Sequence, residues 1–471
     1  MSRSRPKTYT EWKQAAQSRD ERSGALAWRK RDETSLYDYR VIRRRFDELR
    51  EIRASGDPHR LLFYLHEGIH GNMAGMGSAS LYGRRSKFGT KFLISDYIDE
   101  LTGALRQLAQ ADEKDISLNE KRDFFRRASD CFGRSALMLS GAGSLGPFHL
   151  GVVKAMAEEN ILPNIISGAS AGSMVTAFAG CHKEPHMLEL LDNNFTEVFS
   201  KERVVQQKNN KLMFSSDDVM EIISALIPDM TFEEAFEETG RYINVSVGPA
   251  SLNQRSRLLN AVTSPNACIR EAVLASCAIP GVFPPVTLAA KDRQGNRKPY
   301  IASRKWVDGS VTDDLPARRL MRLYGVNHFI SSQTNPLVLW ALQDPASTNL
   351  FAQMTTMAHS TVRDWSRRVY PFAMEAVRGV YPLNIATRMW FGLLGQDYTA
   401  DVTILPNQRF FNPLKLLSPL SQAEIDGLVA DGERSTWPKI EMIRNCTSIS
   451  SCIDEALLEI EGRIYPTAQS A

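Results

Sequence analysis

The stretch ALMLSGAGSLGPFHLGVVKAM, residues 136–156, predicts a strand, a glycine-rich turn and a helix. Its glycines Gly141, Gly143 and Gly146 follow the G-x-G-x-x-G spacing that cradles a dinucleotide pyrophosphate at a helix N-terminus. The backbone N–H groups of such a turn bind other anions equally well, including the alkoxide of a reacting ester. The stretch therefore predicts an anion-binding turn and leaves open which anion it binds.

Short β-rich runs alternate with helical patterns in the middle of the chain, namely ALMLS, NIIS, YINVSV, KWVDG and HFISS. This alternation is typical of βαβ units, so we expect an α/β fold with a mainly parallel sheet covered by helices. Before this part, apolar residues recur at helical spacing, as at Ile42, Phe46 and Leu49. We expect a helical N-terminal region, an α/β core and a mixed, mostly helical C-terminal region, at 1–130, 131–335 and 336–471.

The composition is that of a globular protein with an uneven charge. Of 471 residues, 43% are apolar, and the net charge of +3 includes a basic section, residues 1–60, with sixteen Lys/Arg against ten Asp/Glu. That section fits either a surface for nucleic acid or an anionic membrane, or a solvated helical face. We favour the solvated face and expect no nucleic-acid partner. Six scattered cysteines and a start without a signal peptide predict a cytoplasmic protein, and no apolar run predicts a membrane-spanning helix.

A zinc-protease pattern occurs in HEGIH, residues 66–70. In H-E-x-x-H, two histidines one helical turn apart bind zinc beside a general-base glutamate. Gly68 lowers the helix propensity in the middle of that turn by about 1 kcal/mol, and the following sequence offers no third ligand. We therefore expect a helix C-terminus that runs into a glycine-rich loop, with His70 near the last helix carbonyls, and no metal site.

The pentapeptide GASAG, residues 168–172, has the G-x-S-x-G spacing of a nucleophile elbow around Ser170. An elbow requires a strand before the serine and a helix after it, because the sharp turn exposes the hydroxyl. LPNIIS predicts the strand and AGSMVTAFAG predicts the helix. The same letters also fit a serine that only caps a helix. We favour the nucleophile because the strand and the helix are both expected.

A serine nucleophile needs a base, and the histidines are poorly placed for that role. His149 is expected on the helix after the opening turn, and His328 begins a strand, whereas a triad histidine usually lies in a strand-end loop. Asp308, in KWVDGS, follows a strand directly, where parallel sheets present functional groups. A carboxylate can act as the base when partial burial raises its pKa. We therefore expect Ser170 to pair with Asp308.

This pairing changes the anion that the opening turn is expected to bind. Attack of a serine on an ester creates an oxyanion, and N–H groups aimed at it stabilise the transition state. A dinucleotide site would need an acidic residue at the end of the next strand. That strand ends instead in the serine elbow. We therefore expect the turn to stabilise an oxyanion.

Together, SGAGSLG, GASAG and DGS, in this order, resemble the motifs of the patatin-like phospholipase family. ASCAIPGVFPPV, residues 275–286, is similar to a further segment of that family that forms a wall near the site. The resemblance implies a three-layer core and a dyad of Ser170 as nucleophile and Asp308 as base. It also implies an oxyanion hole, formed here by Gly141, Ala142, Gly143, Ser144 and Ala171.

The sequence departs from the family pattern in the first loop, where Ala142 replaces a glycine and Leu145 replaces a basic residue. The N-terminal region, with LYDYRVIRRRFDELR, resembles the DUF3336-type domain that precedes the core in intracellular triacylglycerol lipases. HSTVRD, residues 359–364, fits the H-x4-D motif reported for acyltransferases among them. That pattern arises often by chance and carries little weight.

The expected activity is hydrolysis of fatty acyl esters of glycerolipids through an acyl-enzyme, with no metal or organic cofactor. The alternatives are a lysophospholipid acyltransferase that uses the same dyad and a catalytically silent lipid-surface scaffold. Substrates of this class lie in membranes or lipid droplets, so we expect peripheral contact with such a surface. Residues 361–395 interleave five arginines with aromatic residues, which suits an interfacial helix as well as an ordinary helix packed on the core.

Overall fold

A computed structural model provides the fold of the chain. The residues that it describes are 5–192, 215–251, 256–335, 400–407 and 418–465. The contacts divide the chain into two compact units, the first with residues 1–135, 324–328 and 437–471 and the second with residues 136–323 and 329–436. The region expected to form one C-terminal extension is thus divided between the two units.

The first unit consists of helices whose apolar residues recur at helical spacing. In the third helix Ile42, Phe46, Leu49 and Ile52 are buried, as the sequence pattern predicts. The helix Ile440–Ile464 packs against Phe92–Ala109 and Leu118–Phe132. The helices are α1 (Tyr9–Ser23), α2 (Ala25–Lys30), α3 (Tyr39–Ser55), α4 (Pro58–His66), α5 (Phe92–Ala109), α6 (Leu118–Phe132) and α16 (Ile440–Ile464), with 3₁₀ turns at Met73–Gly75, Ala79–Leu81 and Trp437–Lys439.

The HEGIH stretch lies where a helix of this unit ends. Helix α4 ends at His66, and Glu67 is its C-cap residue. His70 therefore lies beyond the helix, which confirms the predicted helix C-terminus. The His66 ring packs edge-on against Phe124. Among the residues that the structure describes, no cluster of three His, Cys, Asp or Glu side chains is arranged to hold a metal ion.

The second unit is organised around a seven-stranded sheet. Its strands are β1 (Arg134–Leu139), β2 (Ile165–Gly168), β3 (Tyr242–Pro249), β4 (Arg257–Leu259), β7 (Trp306–Asp308), β8 (Val326–Ser332) and β9 (Val402–Ile404). The order is β4–β3–β2–β1–β8–β9, and β7 also pairs with β3. Strands β1, β2 and β3 are parallel, as are β8 and β9, whereas β4 and β7 are antiparallel to β3. A separate antiparallel pair consists of β5 (Ala289–Lys291) and β6 (Arg297–Pro299).

Helices pack on this sheet, which confirms the expected α/β fold with a mainly parallel sheet. Two of these helices, Ala171–Cys181 and Ile269–Ser276, contact β3. Val245 and Val247 of that strand are buried in the core beneath them. The helices are α7 (Gly146–Glu158), α8 (Ala171–Cys181), α9 (Glu184–Asp192), α10 (Ser216–Leu226), α11 (Phe232–Thr239), α12 (Ile269–Ser276), α13 (Ser310–Asp313), α14 (Ala317–Tyr324) and α15 (Gln422–Thr436).

Helices α7 and α15 cross at very short range. A Cβ added to Gly151 of α7 would overlap the carbonyl oxygen of Val429, and one added to Gly432 of α15 would overlap the carbonyl oxygen of Phe148. The two backbones touch at this crossing because glycine has no side chain. Helix α15 therefore supports the helix that follows the glycine-rich turn.

The features expected to meet a membrane are only partly covered by the structure. None of the helices in the described part of the chain has the length and apolar character needed to cross a bilayer. The expected interfacial segment, residues 361–395, and the H-x4-D pattern at residues 359–364 lie outside the described residues.

Candidate active site

Ser170 occupies a tight turn between a strand and a helix. Strand β2 ends at Gly168, and helix α8 begins at Ala171. Ser170 has φ 52° and ψ −129°, a combination that residues other than glycine rarely adopt and that is found mostly where function requires it. Its side chain makes no capping hydrogen bond to helix α8. The helix-cap interpretation of this serine is therefore wrong, and the hydroxyl is available for another partner.

The two glycines of the motif allow this turn to approach the neighbouring backbone. A Cβ added to Gly168 would overlap the carbonyl oxygen of Gly172. One added to Gly172 would overlap the carbonyl oxygen of Leu139, at the end of β1. The G-x-S-x-G spacing therefore has a packing reason, because helix α8 starts directly against β1 and β2.

Ser276 links the Ser170 turn to the sheet. Its hydroxyl accepts the Ser170 N–H at 2.9 Å and donates to the Ser246 carbonyl of β3 at 2.7 Å. Ser276 is completely buried, so the bonds are shielded from water. Ser276 lies within ASCAIPGVFPPV, and its contact with Ser170 was not predicted from the sequence. A small polar residue within a largely apolar segment was the feature of the sequence that could have indicated its role.

Asp308 lies at the end of β7, beside the serine. Its strand is antiparallel to β3, and its own N–H donates to the Ala278 carbonyl at 2.9 Å. Its carboxyl accepts the Ser310 N–H at 2.8 Å. The Ser170 side chain also hydrogen-bonds to this carboxyl. The structure thus brings together the two residues that sequence reasoning paired.

Burial changes the proton affinity of Asp308. The residue is only 2% exposed, and this desolvation raises its pKa to about 6, although hydrogen bonds from Ser310 and Ser170 oppose the shift. A carboxylate with this pKa is ionised at neutral pH and binds a proton more strongly than an exposed aspartate does. Asp308 therefore has the proton affinity of a general base.

The histidines weighed at the sequence level have other partners. His149 is completely buried, with Nδ1 at 2.7 Å from the Ser332 hydroxyl and Nε2 at 3.0 Å from the Ser140 carbonyl. Burial lowers its pKa to about 4, so the ring is neutral and serves the packing of α7. In the first unit, His328 Nδ1 lies 3.0 Å from the Ser135 hydroxyl. Both rings thus have structural partners.

The glycine-rich turn leads from β1 into a 3₁₀ turn, Gly143–Leu145, and then into α7. Gly143 has φ 54°, in the left-handed region that suits glycine. Ala142 has φ −134°, which any residue adopts, so the alanine is compatible with this backbone. Ala171 is the first residue of α8, where an N–H group has no acceptor within the helix.

The N–H group of Gly141 is bonded to a side chain of the protein. Its N–H donates to Oδ1 of Asp314 at 2.6 Å, so this donor is used within the protein. The remaining predicted donors of an oxyanion hole are the N–H groups of Ala142, Gly143, Ser144 and Ala171. Sequence reasoning missed Asp314, because an aspartate shortly after the expected base belongs to no recognised motif.

A cavity of about 100 Å³ opens beside Ser170. Gly143, Ser170 and Ala171 form part of its wall, so Ser170 and the glycine-rich turn face the same space. The other wall is mainly apolar and includes Met174, Val219, Ile222, Ile279, Phe283 and Ile425. An apolar pocket with a few polar groups at one end suits a hydrocarbon chain that carries a reactive polar group.

Two family models match the chain in sequence. The model described as a domain of unknown function, DUF3336, matches residues 2–130. The model described as Patatin-like phospholipase matches residues 137–321. The second match contains Ser170, Asp308 and the glycine-rich turn.

Similar proteins align along almost the whole chain. Triacylglycerol lipase 4 of Saccharomyces cerevisiae is 33% identical, over 98% of this chain and 53% of its own length. Triacylglycerol lipase SDP1L of Arabidopsis thaliana is 31% identical, over 96% of this chain and 57% of its own length. The chain thus spans about half the length of these two relatives. Triacylglycerol lipase ptl3 of Schizosaccharomyces pombe is 31% identical, over 95% of each chain.

Proposed function

We propose that this chain, which belongs to the patatin-like phospholipase family, is a serine hydrolase that cleaves fatty acyl esters of glycerolipids. One observation carries the proposal: the Ser170 side chain hydrogen-bonds to the buried Asp308 carboxyl at a strained turn beside an apolar cavity. A nucleophile bonded to its base is the arrangement that attack on an ester requires. The relatives named as triacylglycerol lipases support the same reaction class.

In the first half of the reaction, Asp308 takes the hydroxyl proton of Ser170 while Oγ bonds to the ester carbonyl carbon. The carbonyl oxygen becomes an oxyanion, which accepts hydrogen bonds from N–H groups of the turn and of Ala171. One such donor is worth about 3–4 kcal/mol in the transition state. The carbon–oxygen bond to the glyceride then breaks, and Asp308 returns the proton to the leaving oxygen. An acyl-enzyme and a free alcohol result.

In the second half, Asp308 takes a proton from water, and the water oxygen bonds to the acyl carbon. Collapse of the second tetrahedral intermediate expels Oγ of Ser170, which recovers the proton, and the fatty acid leaves. If the hydroxyl of a lysophospholipid replaced the water, the same steps would transfer the acyl group. The acceptor that reaches the acyl-enzyme therefore decides between hydrolase and acyltransferase.

Neutral glycerides fit the cavity better than anionic phospholipids do. Among the described residues that line it, none is basic. Leu145, in the adjoining turn, also stands where the family has a basic residue. Among the described residues, a phosphate group would thus find no cation beside Ser170, whereas an uncharged ester needs none. We propose triacylglycerol and diacylglycerol as the substrate class.

The purified chain should be assayed with triacylglycerol, diacylglycerol, phospholipid and lysophospholipid side by side. We expect fatty acid release mainly from the neutral glycerides, and its loss in Ser170→Ala. A fluorophosphonate probe should label the native protein and leave Ser170→Ala unlabelled. Absence of labelling in the native protein would support the silent scaffold. Release that survives both Ser170→Ala and Asp308→Asn would refute the dyad.

We further propose that the protein acts in the cytoplasm, bound peripherally to a membrane or lipid droplet. The support is the sequence of residues 361–395, which alternates arginines and aromatic residues. Reversing the charge of Arg367, Arg368 and Arg378 to Glu should lower binding to anionic vesicles by about tenfold or more.

A control for this experiment changes the same charge elsewhere. Reversal of three exposed arginines, Arg293, Arg318 and Arg322, should leave vesicle binding near that of the wild type. Equal binding by both triple variants would remove the segment from the proposal and leave the hydrolase reaction unaffected.

A further inference from the structure

A second buried carboxyl follows Asp308 in the chain. Asp314 caps the C-terminus of α13 and is completely buried. Its Oδ1 accepts the Gly141 N–H at 2.6 Å, and its Oδ2 accepts from Asn335 Nδ2 at 3.4 Å. Asp308 is bonded to the nucleophile, whereas Asp314 is bonded to the first peptide of the glycine-rich turn.

Helix α13 also contacts that peptide by packing. A Cβ added to Gly141 would lie 2.8 Å from Cβ of Ser310 and 3.5 Å from Oδ1 of Asp314. Asp308 lies two residues before the first residue of this short helix, and Asp314 directly follows its last residue. One short segment, residues 308–314, therefore contacts both halves of the site, since Asp308 is bonded to Ser170 and both Ser310 and Asp314 lie against Gly141.

The bond between Asp314 and Gly141 is of a strong kind. Burial raises the pKa of Asp314 to about 7, so the carboxyl is mostly ionised at pH 8. Hydrogen bonds to the ionised carboxylate are shorter and stronger than those between neutral groups, and burial removes the competition of water. Loss of the acceptor would leave the Gly141 N–H buried without a partner, which is costly, so the peptide would rotate or shift. The peptides that follow, up to Gly143 with φ 54°, would then move with it.

We propose that Asp314 is a positioning residue, whose side chain holds the Gly141 peptide so that the N–H groups after it converge on the oxyanion. The proposal rests on the proposed function, because an oxyanion forms only when Ser170 attacks an ester. Asp314 does not touch the reacting atoms itself. It acts by fixing the turn against the segment that carries Asp308, and misplacement of catalytic groups by about 1 Å costs about 10²-fold in rate.

Three substitutions test this role on a soluble fatty acyl ester. Asp314→Ala removes the acceptor, and we expect kcat to fall about 10²-fold while KM changes less than about twofold. Asp314→Asn keeps an oxygen acceptor, and we expect it to recover kcat to within about tenfold of the wild type. Asp229→Asn is the matched control, since Asp229 is exposed and pairs with Arg297 at 2.6 Å, and we expect it to leave kcat unchanged.

Hydrogen exchange provides a readout that does not depend on catalysis. In Asp314→Ala, amides of residues 137–146 should exchange faster than in the wild type, whereas Asp314→Asn should resemble the wild type. If Asp314→Ala shows no cooperative thermal transition, Asp314→Val, which is closer to aspartate in volume and has no acceptor, replaces it.

The outcomes separate the two proposals. Near-normal kcat in Asp314→Ala overturns the positioning role, as does an equal loss in Asp314→Ala and Asp314→Asn. A loss of kcat with unchanged exchange at residues 137–146 also overturns it. If the wild type shows no turnover that depends on Ser170, the hydrolase proposal fails instead, and the exchange rates still decide whether Asp314 holds the turn.

Discussion

Two stretches of this chain match catalytic motifs letter for letter, HEGIH at residues 66–70 and GASAG at residues 168–172. In the first, helix α4 ends at His66, so the second histidine lies outside the helix that zinc binding requires. In the second, a strand, a strained turn and a helix follow one another as a nucleophile elbow requires. A motif therefore predicts chemistry only where the flanking elements impose the geometry that the chemistry requires.

The largest expected difference between the two stretches is catalytic. Ser170→Ala should lower kcat/KM on an acyl ester by about 10³-fold or more, because the nucleophile is lost. Asp308→Asn should have a comparable effect, because the amide cannot take the proton. His66→Ala and His70→Ala should remain within about twofold of the wild type, and a metal chelator should have no effect. A large loss of kcat/KM on chelation, or in the histidine variants, would show that HEGIH takes part in catalysis.

The glycines of the two stretches should differ in their effect on stability. Gly172→Ala should lower the free energy of unfolding by about 3 kcal/mol or more, because its Cβ would overlap the Leu139 carbonyl. Gly68→Ala is the matched control. Its Cβ would lie 3.0 Å from the flexible guanidinium of Arg45, so we expect a change below about 1 kcal/mol. Urea unfolding midpoints measure both, and equal midpoints would show that the turn tolerates a side chain.

The pH dependence of the rate sharpens the assignment of the base. Asp308 must be ionised to accept the Ser170 proton, so kcat/KM should rise with pH through about 6, the pKa of this carboxyl. Below that pH the rate should fall by about tenfold per unit. The substrate should be an uncharged ester, so that its own ionisation does not contribute to the pH dependence of kcat/KM. A rate that stays constant down to pH 4 would indicate that a group other than Asp308 is the base.

The smallest expected effect is a gain in stability. The folded pKa of Asp308, about 6, exceeds its ordinary value of 3.8. The stability contributed by this carboxyl is therefore fully present below pH 3.8 and is lost as the pH rises through 6. Asp308→Asn should accordingly raise the free energy of unfolding by about 1–3 kcal/mol at pH 8 and by little at pH 4. Urea unfolding at the two pH values measures the difference, and an equal gain at pH 4 and pH 8 would contradict the raised pKa of Asp308.

Much of the fold and of the site could be predicted, because it depends on patterns within short segments of the sequence. The helix with Ile42 and Phe46, the parallel strands β1 to β3 and the end of α4 all follow from patterns within a single element. Ser170 follows β2, whose carboxyl end lies beside those of its parallel neighbours, as the rule for parallel sheets predicts. Asp308 also follows a strand, but β7 is antiparallel to β3, so the expected parallel-sheet position of Asp308 was wrong although its proximity to Ser170 was predicted correctly.

Bonds between distant parts of the chain could not be predicted. Asp314 reaches Gly141, and Ser276 reaches Ser170, only after the sheet and its helices have packed. Neither pair has a spacing that a sequence pattern would reveal. The antiparallel addition of β7 to β3 is of the same kind, because a three-residue strand carries too short a pattern to show its partner.

The close crossing of α7 and α15 determines where this chain can be shortened. The patatin-like match ends at residue 321, yet β9 extends the sheet beside β8, and α15 lies against α7 through Gly151 and Gly432. A protein cut at the end of the match would lose the two strands β8 and β9 and would expose an apolar face of the helix behind the glycine-rich turn. The smallest piece worth expressing for catalysis therefore extends through Thr436, the last residue of α15.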